Sequence, residues 1–342
     1  MLRDLLKECI EGRTLTEYEA ETIMNQIMRG EATASQIASL LSMLRLRGET
    51  VDELTGFAKA MRKHMKAIPT LSTEHVIDTC GTGGDGVSSF NISTATALVV
   101  SALGVKVAKH GNRAVSSKSG SADVLEYLGI PIQTTPEDVS DALEKYSMSF
   151  LFAPNYHSAM RHAAETRREI GFRTAFNLLG PLSNPARCKR QVIGVYDTKF
   201  AEKMAKTLQR LGSTHVLFVT GRDGLDEITV TTETDIVELK NNEIFRYTIH
   251  PHEFGLPIGN LVDIQTSSVE QSGEVIKSIF HRVSNESATN IVLINAGAAL
   301  YVSGIASSIH QGIILAKEAL DSYQVLYHFL SLVGKKEEHR YA

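Results

Sequence analysis

The sequence predicts an α/β protein with a small all-α domain at its N-terminus, and two changes of pattern carry that prediction. Apolar residues in the first seventy positions recur only at helical spacing. Beyond Pro69, short β-branched runs alternate with helical stretches, the signature of a mainly parallel central sheet flanked by helices.

In the N-terminal part, Leu2, Leu5, Leu6, Cys9 and Ile10 mark a first helix. Thr16 with Glu19, and Thr50 with Glu53, have the form of a capping box, which satisfies the unpaired amides of a first helical turn. Gly30 and Gly48 stand where those helices should stop. Ile37, Leu40, Leu41 and Leu44 form one stripe along residues 36–47, and Pro69 breaks the pattern. In the rest of the chain, strands are expected at Val76–Ile77, Val105–Val107, Val192–Val195 and Val216–Val219. Helices are expected at Ser93–Leu103, Ala122–Leu128, Pro136–Tyr146 and Ala201–Leu211. From Ile228 to Ile249 three alternating runs, the last two separated by Asn241–Asn242, predict antiparallel hairpins at a sheet edge, and the C-terminal third returns to helix.

Composition narrows the function classes. The chain has 342 residues, 43% hydrophobic and 22% charged, with a net charge of −4. That balance gives no electrostatic reason for a nucleic-acid or membrane-surface partner. Cys9, Cys80 and Cys188 are scattered without zinc-ligand spacing or a disulfide framework, and the first residues lack an unbroken apolar stretch. The expectation is a soluble, cytoplasmic protein.

Two loops carry the chemistry. Asp78 to Gly86 holds four glycines in six residues (Gly81, Gly83, Gly84, Gly86) between a strand and a helix starting near Asn91. Glycine amides approach a ligand closely, and the following helix N-terminus adds its dipole, which together make an anion site. Asn91-Ile92-Ser93-Thr94 places hydroxyls and an amide in that first turn. A second loop, Lys109 to Ser117, is expected after the next strand. Lys109, Arg113 and Lys118 supply positive charge there, and Ser116, Ser117, Ser119 and Ser121 supply donors. Asp226–Glu227 is a carboxylate pair suited to a hard cation. Arg161, Arg167, Arg168 and Arg173 cluster within residues 157–174; most read as an amphipathic helix face, while one is able to clamp a substrate carboxylate.

These motifs, in order along essentially the whole chain and together with Arg173-Thr-Ala-Phe-Asn-Leu-Leu-Gly-Pro-Leu-Ser-Asn-Pro185, resemble the anthranilate phosphoribosyltransferase family. The resemblance implies the nucleoside phosphorylase-like phosphoribosyltransferase fold. It implies a helical domain over 1–70, completed by helices from about 157–185, beside an α/β catalytic domain over 71–342. It also implies a homodimer, Mg2+ as cofactor, and anthranilate and phosphoribosyl pyrophosphate as substrates. Carried over position by position, Gly81, Gly84, Asp85, Ser89, Asn91, Ile92, Ser93 and Thr94 fall to phosphoribosyl pyrophosphate. So do Lys109, His110, Gly111, Asn112, Arg113, Ala114, Val115, Ser116, Ser117 and Ser121. Gly81, Asn112 and Arg167 fall to anthranilate, and Ser93, Asp226 and Glu227 to the metal. Lys109, Asn112 and Arg167 are the expected catalytic positions. The family often has threonine where this chain has Ser89, which preserves the hydroxyl. Two rivals stay open: a pyrimidine nucleoside phosphorylase of the same fold, and a non-catalytic paralogue that binds nucleic acid.

Overall fold

The computed structural model describes residues 2–68, 75–83, 86–114, 118–132 and 135–333. Four helices come first: α1 (Leu2–Ile10), α2 (Glu17–Met28), α3 (Ala34–Arg47) and α4 (Val51–His64). The expected capping boxes are formed: the Thr16 and Thr50 hydroxyls accept from the Glu19 and Glu53 amides, and those carboxylates answer the threonine amides. Thr33 and Gln36 add a third box at the start of α3, which the sequence reading passed over.

The α/β part begins with β1 (Val76–Gly81), α5 (Ile92–Ala102), β2 (Lys106–Gly111), α6 (Ser121–Tyr127), α7 (Pro136–Tyr146) and β3 (Met148–Phe152). It continues through α8 (Ala153–Tyr156), α9 (Arg161–Ile170), α10 (Ala175–Leu182), β4 (Arg190–Gly194), α11 (Thr198–Arg210) and β5 (His215–Gly221). It closes with β6 (Thr234–Lys240), β7 (Glu243–Ile249) and four helices, α12 (Val269–Phe280), α13 (Glu286–Ser303), α14 (Ile309–Asp321) and α15 (Gln324–Val333). The strand order is β3-β2-β1-β4-β5-β6-β7, and the first five strands are parallel. The last two pair antiparallel at one edge, as the alternating runs predict.

The first of those runs is no strand. Residues 228–232 fold instead around the Asp223 carboxylate, which accepts from the hydroxyls of Thr229 and Thr231 at 2.5 Å each. Threonine side chains that bond locally compete with ladder pairing, and here they win.

Two large hydrophobic clusters flank the sheet, and a smaller one packs α7 against β1, β2 and β3. One large cluster packs α5, α12, α13 and α14 against the sheet's first face. The other joins α1 to α4 with α9, α10 and α11 on the opposite face, so residues 161–182 pack on the N-terminal helices. A cleft therefore opens between the helical side and the C-terminal ends of the parallel strands, where α/β sheets bind ligands.

Candidate active site

β1 and β2 run farther than their apolar cores suggest, and this redistributes the expected site residues. Lys109 and His110 lie within β2 rather than in a loop beyond it. Neighbouring strand residues point to opposite faces, so the pleat separates the two side chains. Lys109 is almost fully buried, with Nζ donating to the Thr79 carbonyl at 2.5 Å and to Ser93 Oγ at 3.1 Å. The resemblance gives Lys109 to phosphoribosyl pyrophosphate, and the fold places it in a strand rather than in a loop beyond it. Its ammonium lies beneath the first turn of α5, pushed down in pKa by burial and held up by Asp78, Cys80, Glu227 and Asp226. Asp78 is buried beside it. Burial raises that carboxyl, against the opposing donors Asn184 Nδ2 at 2.8 Å and the His110 amide at 3.1 Å.

The carboxylate pair closes this side. Asp226 Oδ2 accepts from the Gly83 amide at 2.9 Å, and Glu227 Oε1 from the Ser93 amide at 3.0 Å. Asp226 can approach so closely because two glycines pair in register beneath it, Gly81 on β1 and Gly194 on β4. A Cβ at Gly81 would lie 2.5 Å from Asp226 Oδ2, and one at Gly194 would overlap the Asp226 carbonyl oxygen. Gly194 was missed in the sequence, although a glycine inside a strand signals such an approach. Two carboxylates, with the Ser93 hydroxyl on the neighbouring turn, form a donor set of hard oxygens. Such a set fits a cation that retains several waters. No group of three or more His, Cys, Asp and Glu side chains is gathered around a metal position among the described residues.

The remaining expected phosphate positions divide. Asn91 and Ser93 are half-buried, with Asn91 Oδ1 accepting from Ser119 Oγ and Ser272 Oγ at 2.8 Å each. Ile92 and Thr94 turn into the core, which removes their side chains from any ligand. The physical reason is that α5 is buried on nearly every side. Arg113, an expected phosphate cation, is exposed and held in surface ion pairs. It pairs with Asp123 at 2.8 Å and Glu126 at 2.9 Å, which raise its pKa. Ser89 bridges to Gln265, and Ser121 Oγ donates to the Asn112 carbonyl at 3.4 Å. Gly111 lies against Ser121 so tightly that a Cβ would overlap its hydroxyl. The Ala114 amide donates to Asp123. Gly84, Asp85, Val115, Ser116 and Ser117 lie outside the described residues.

On the other side of the glycine loop is a cavity of about 470 Å³, lined by Gly81, His110, Gly111 and Asn112 from the sheet and by His157, Arg167 and Phe176 from the helical side. All three positions expected to hold anthranilate meet there. Arg167 stacks its guanidinium 5.0 Å from the Phe176 ring centroid and is lowered in pKa by burial alone. No carboxylate pairs with it among the described residues. Arg168, by contrast, is exposed and faces Glu165 at 4.0 Å, and Arg173 stacks over Tyr196 at 4.3 Å. His110 and His157 lie 5.1 Å apart, each hydrogen-bonded to main chain, at Gly180 and Ser183. Burial holds both neutral, with His157 lowered to about 4. His157 carried no signal in the sequence.

A glycine-loop anion site, a hard-cation pair and a half-apolar cavity with an unpaired guanidinium define a protein that joins a phosphorylated donor to a small acidic acceptor. Residues 3–65 match the helical bundle domain of the glycosyl transferase family, and residues 73–324 match its a/b domain. The chain is 62% identical, over 342 residues and 100% of both chains, to the anthranilate phosphoribosyltransferase of a Geobacillus species. The crystal structure of that enzyme from Thermus thermophilus superposes with a TM-score of 0.89 at 38% identity, covering 96% of this chain and 98% of the other. A yeast anthranilate phosphoribosyltransferase in complex with PRPP and Mg gives 0.87 at 26% identity, covering 98% of both. The chain belongs to the anthranilate phosphoribosyltransferase family, and the α/β fold with a helical N-terminal part is the one its relatives share.

Proposed function

We propose that this chain transfers the phosphoribosyl group of phosphoribosyl pyrophosphate to the amine of anthranilate, releasing pyrophosphate, in tryptophan biosynthesis. The observation that carries this reading is the unpaired Arg167 guanidinium in a cavity that opens on the glycine loop. A half-buried cation without a counter-charge carries a desolvation cost, and a bidentate carboxylate relieves it. The neutral imidazoles of His110 and His157 add no competing charge, so the wall accepts an aromatic ring beside a single anionic group.

The arylamine is uncharged at neutral pH and needs no strong base to be nucleophilic. The barrier lies in breaking the bond from the ribose to the diphosphate, as negative charge grows on the leaving group. The Gly83 amide and the α5 N-terminus, with Lys109 beneath them, form a preorganised field for that charge. Asp226, Glu227 and the Ser93 hydroxyl would hold Mg2+, which when bound neutralises diphosphate charge. Asn112 and Arg167 hold the acceptor over the same loop, which contributes proximity. We read the domain that supplies Arg167 as the N-terminal helices α1 to α4, completed by helices from about 157–185.

The test is anthranilate fluorescence with phosphoribosyl pyrophosphate and Mg2+, repeated with EDTA. Metal-dependent loss of fluorescence with pyrophosphate released in step is the expected result. Phosphorolysis of a pyrimidine nucleoside in its place would overturn the reading. The family further leads us to a homodimer in the cytoplasm, which light scattering on the purified protein checks. No helix among the described residues is long and apolar enough to cross a membrane.

A further inference from the structure

We propose that Asp226 and Glu227 are built-in stand-ins for phosphate, occupying the anion-binding amides until a divalent cation draws them off, so that metal binding uncovers the diphosphate site. The inference rests on the reading above, which supplies the diphosphate and the cation.

The observation is that both carboxylates are hydrogen-bonded to main-chain donors of the kind a phosphate would use. Gly83 N–H, in the glycine loop, donates to Asp226 Oδ2 at 2.9 Å. Ser93 N–H, at the second position of α5, donates to Glu227 Oε1 at 3.0 Å. The amides of a first helical turn have no partner within the helix, and a nearby carboxylate satisfies them as a phosphate oxygen does. A diphosphate arriving without metal therefore meets occupied donors and two like charges. A hard cation competes for the carboxylate oxygens, which are its preferred ligands.

The backbone around the pair is held in place. Gly81 and Gly194 leave no space for Asp226 to sink, and the Ile228 amide is fixed to Asn295 Oδ1 at 3.0 Å. The exchange of partners therefore falls to side-chain rotation, with the strand ends unmoved.

Charge repulsion and donor occupancy make different predictions. Glu227→Gln removes the charge but keeps an oxygen able to accept from Ser93, whereas Glu227→Ala removes both. Asp226→Asn and Asp226→Ala stand in the same relation to Gly83. Calorimetric titration of inorganic pyrophosphate in EDTA should give weak binding to the wild type and tighter binding to the Gln and Asn variants. Binding to the Ala variants should be tighter again by roughly tenfold, the scale of one charge-assisted hydrogen bond. In the 15N-labelled wild type, Mg2+ alone should shift the Gly83 and Ser93 amide resonances, which needs no variant to fold. Equal metal-free affinities for Gln and Ala, or amide signals unmoved at saturating Mg2+, overturn the inference while an active enzyme leaves the reading standing. A folded wild type that binds neither Mg2+ nor pyrophosphate overturns both.

Discussion

On the sheet side of the cleft the ionisable groups answer one another, whereas on the helical side the guanidinium of Arg167 has no acid among the described residues. Lys109 and Glu227 meet at Ser93, Asp226 holds the Gly83 amide, and Asp78, beside Lys109, is held by Asn184 and the His110 amide. Arg167 has only the face of Phe176 and an open cavity. Both walls bury charge, but they prepare for different ligands. The sheet side is a closed network that a cation and a diphosphate must rearrange. The helical side is an incomplete ion pair that a carboxylate completes. Partnered groups of this kind set rate, and unpartnered ones set affinity.

That contrast breaks most visibly at the carboxylate pair. Asp226→Ala with Glu227→Ala should lower kcat by about a thousandfold, the scale of lost electrostatic preorganisation, measured as pyrophosphate release. Arg167→Ala should raise the anthranilate KM by roughly ten- to a hundredfold with kcat little changed, because the lost contact is made before and during reaction alike. An unchanged KM would remove Arg167 from the acceptor site.

A third test uses pH. His157 is held neutral in the fold, at about 4 against 6.5 for the free side chain, so the unfolded chain takes up its proton first on acidification. Its share of stability is complete above pH 6.5 and is lost as pH falls toward 4. Between pH 7 and pH 5 the protein should lose roughly 2 kcal/mol through this group, and His157→Gln should flatten that part of the profile in urea unfolding. Gly194→Ala forces a Cβ against the Asp226 carbonyl and should cost about 1–2 kcal/mol while raising the Mg2+ concentration needed for half-maximal rate. Arg168→Ala, on an exposed side chain one residue from Arg167, should change the anthranilate KM by less than about twofold.

How far the sequence reading reached is clearest in particular residues. The helical N-terminus was legible because capping boxes and apolar stripes are local: Thr16 and Glu19 need only each other and one turn of helix. The antiparallel edge was legible in two of its three runs. The first failed because Thr229 and Thr231 found the Asp223 carboxylate, a partner that strand periodicity does not register. Among the site residues, Gly81, Asn112 and Arg167 meet around one cavity although their numbers span 86 positions. The motif that resembled a single phosphate loop is split by the pleat of β2, with Lys109 on one face and His110 on the other.

The sequence by itself determined most of the element types and showed the glycine loop and the acid pair as motifs, because each depends on residues within a few positions of one another. The tertiary structure decided which of those groups act together. Strand register placed Gly81 beside Gly194 and so let Asp226 reach Gly83. Helix packing left Arg167 without an acid among the described residues and buried Lys109 with several. Charge interactions depend on distance and burial, and neither is fixed until the chain closes on itself.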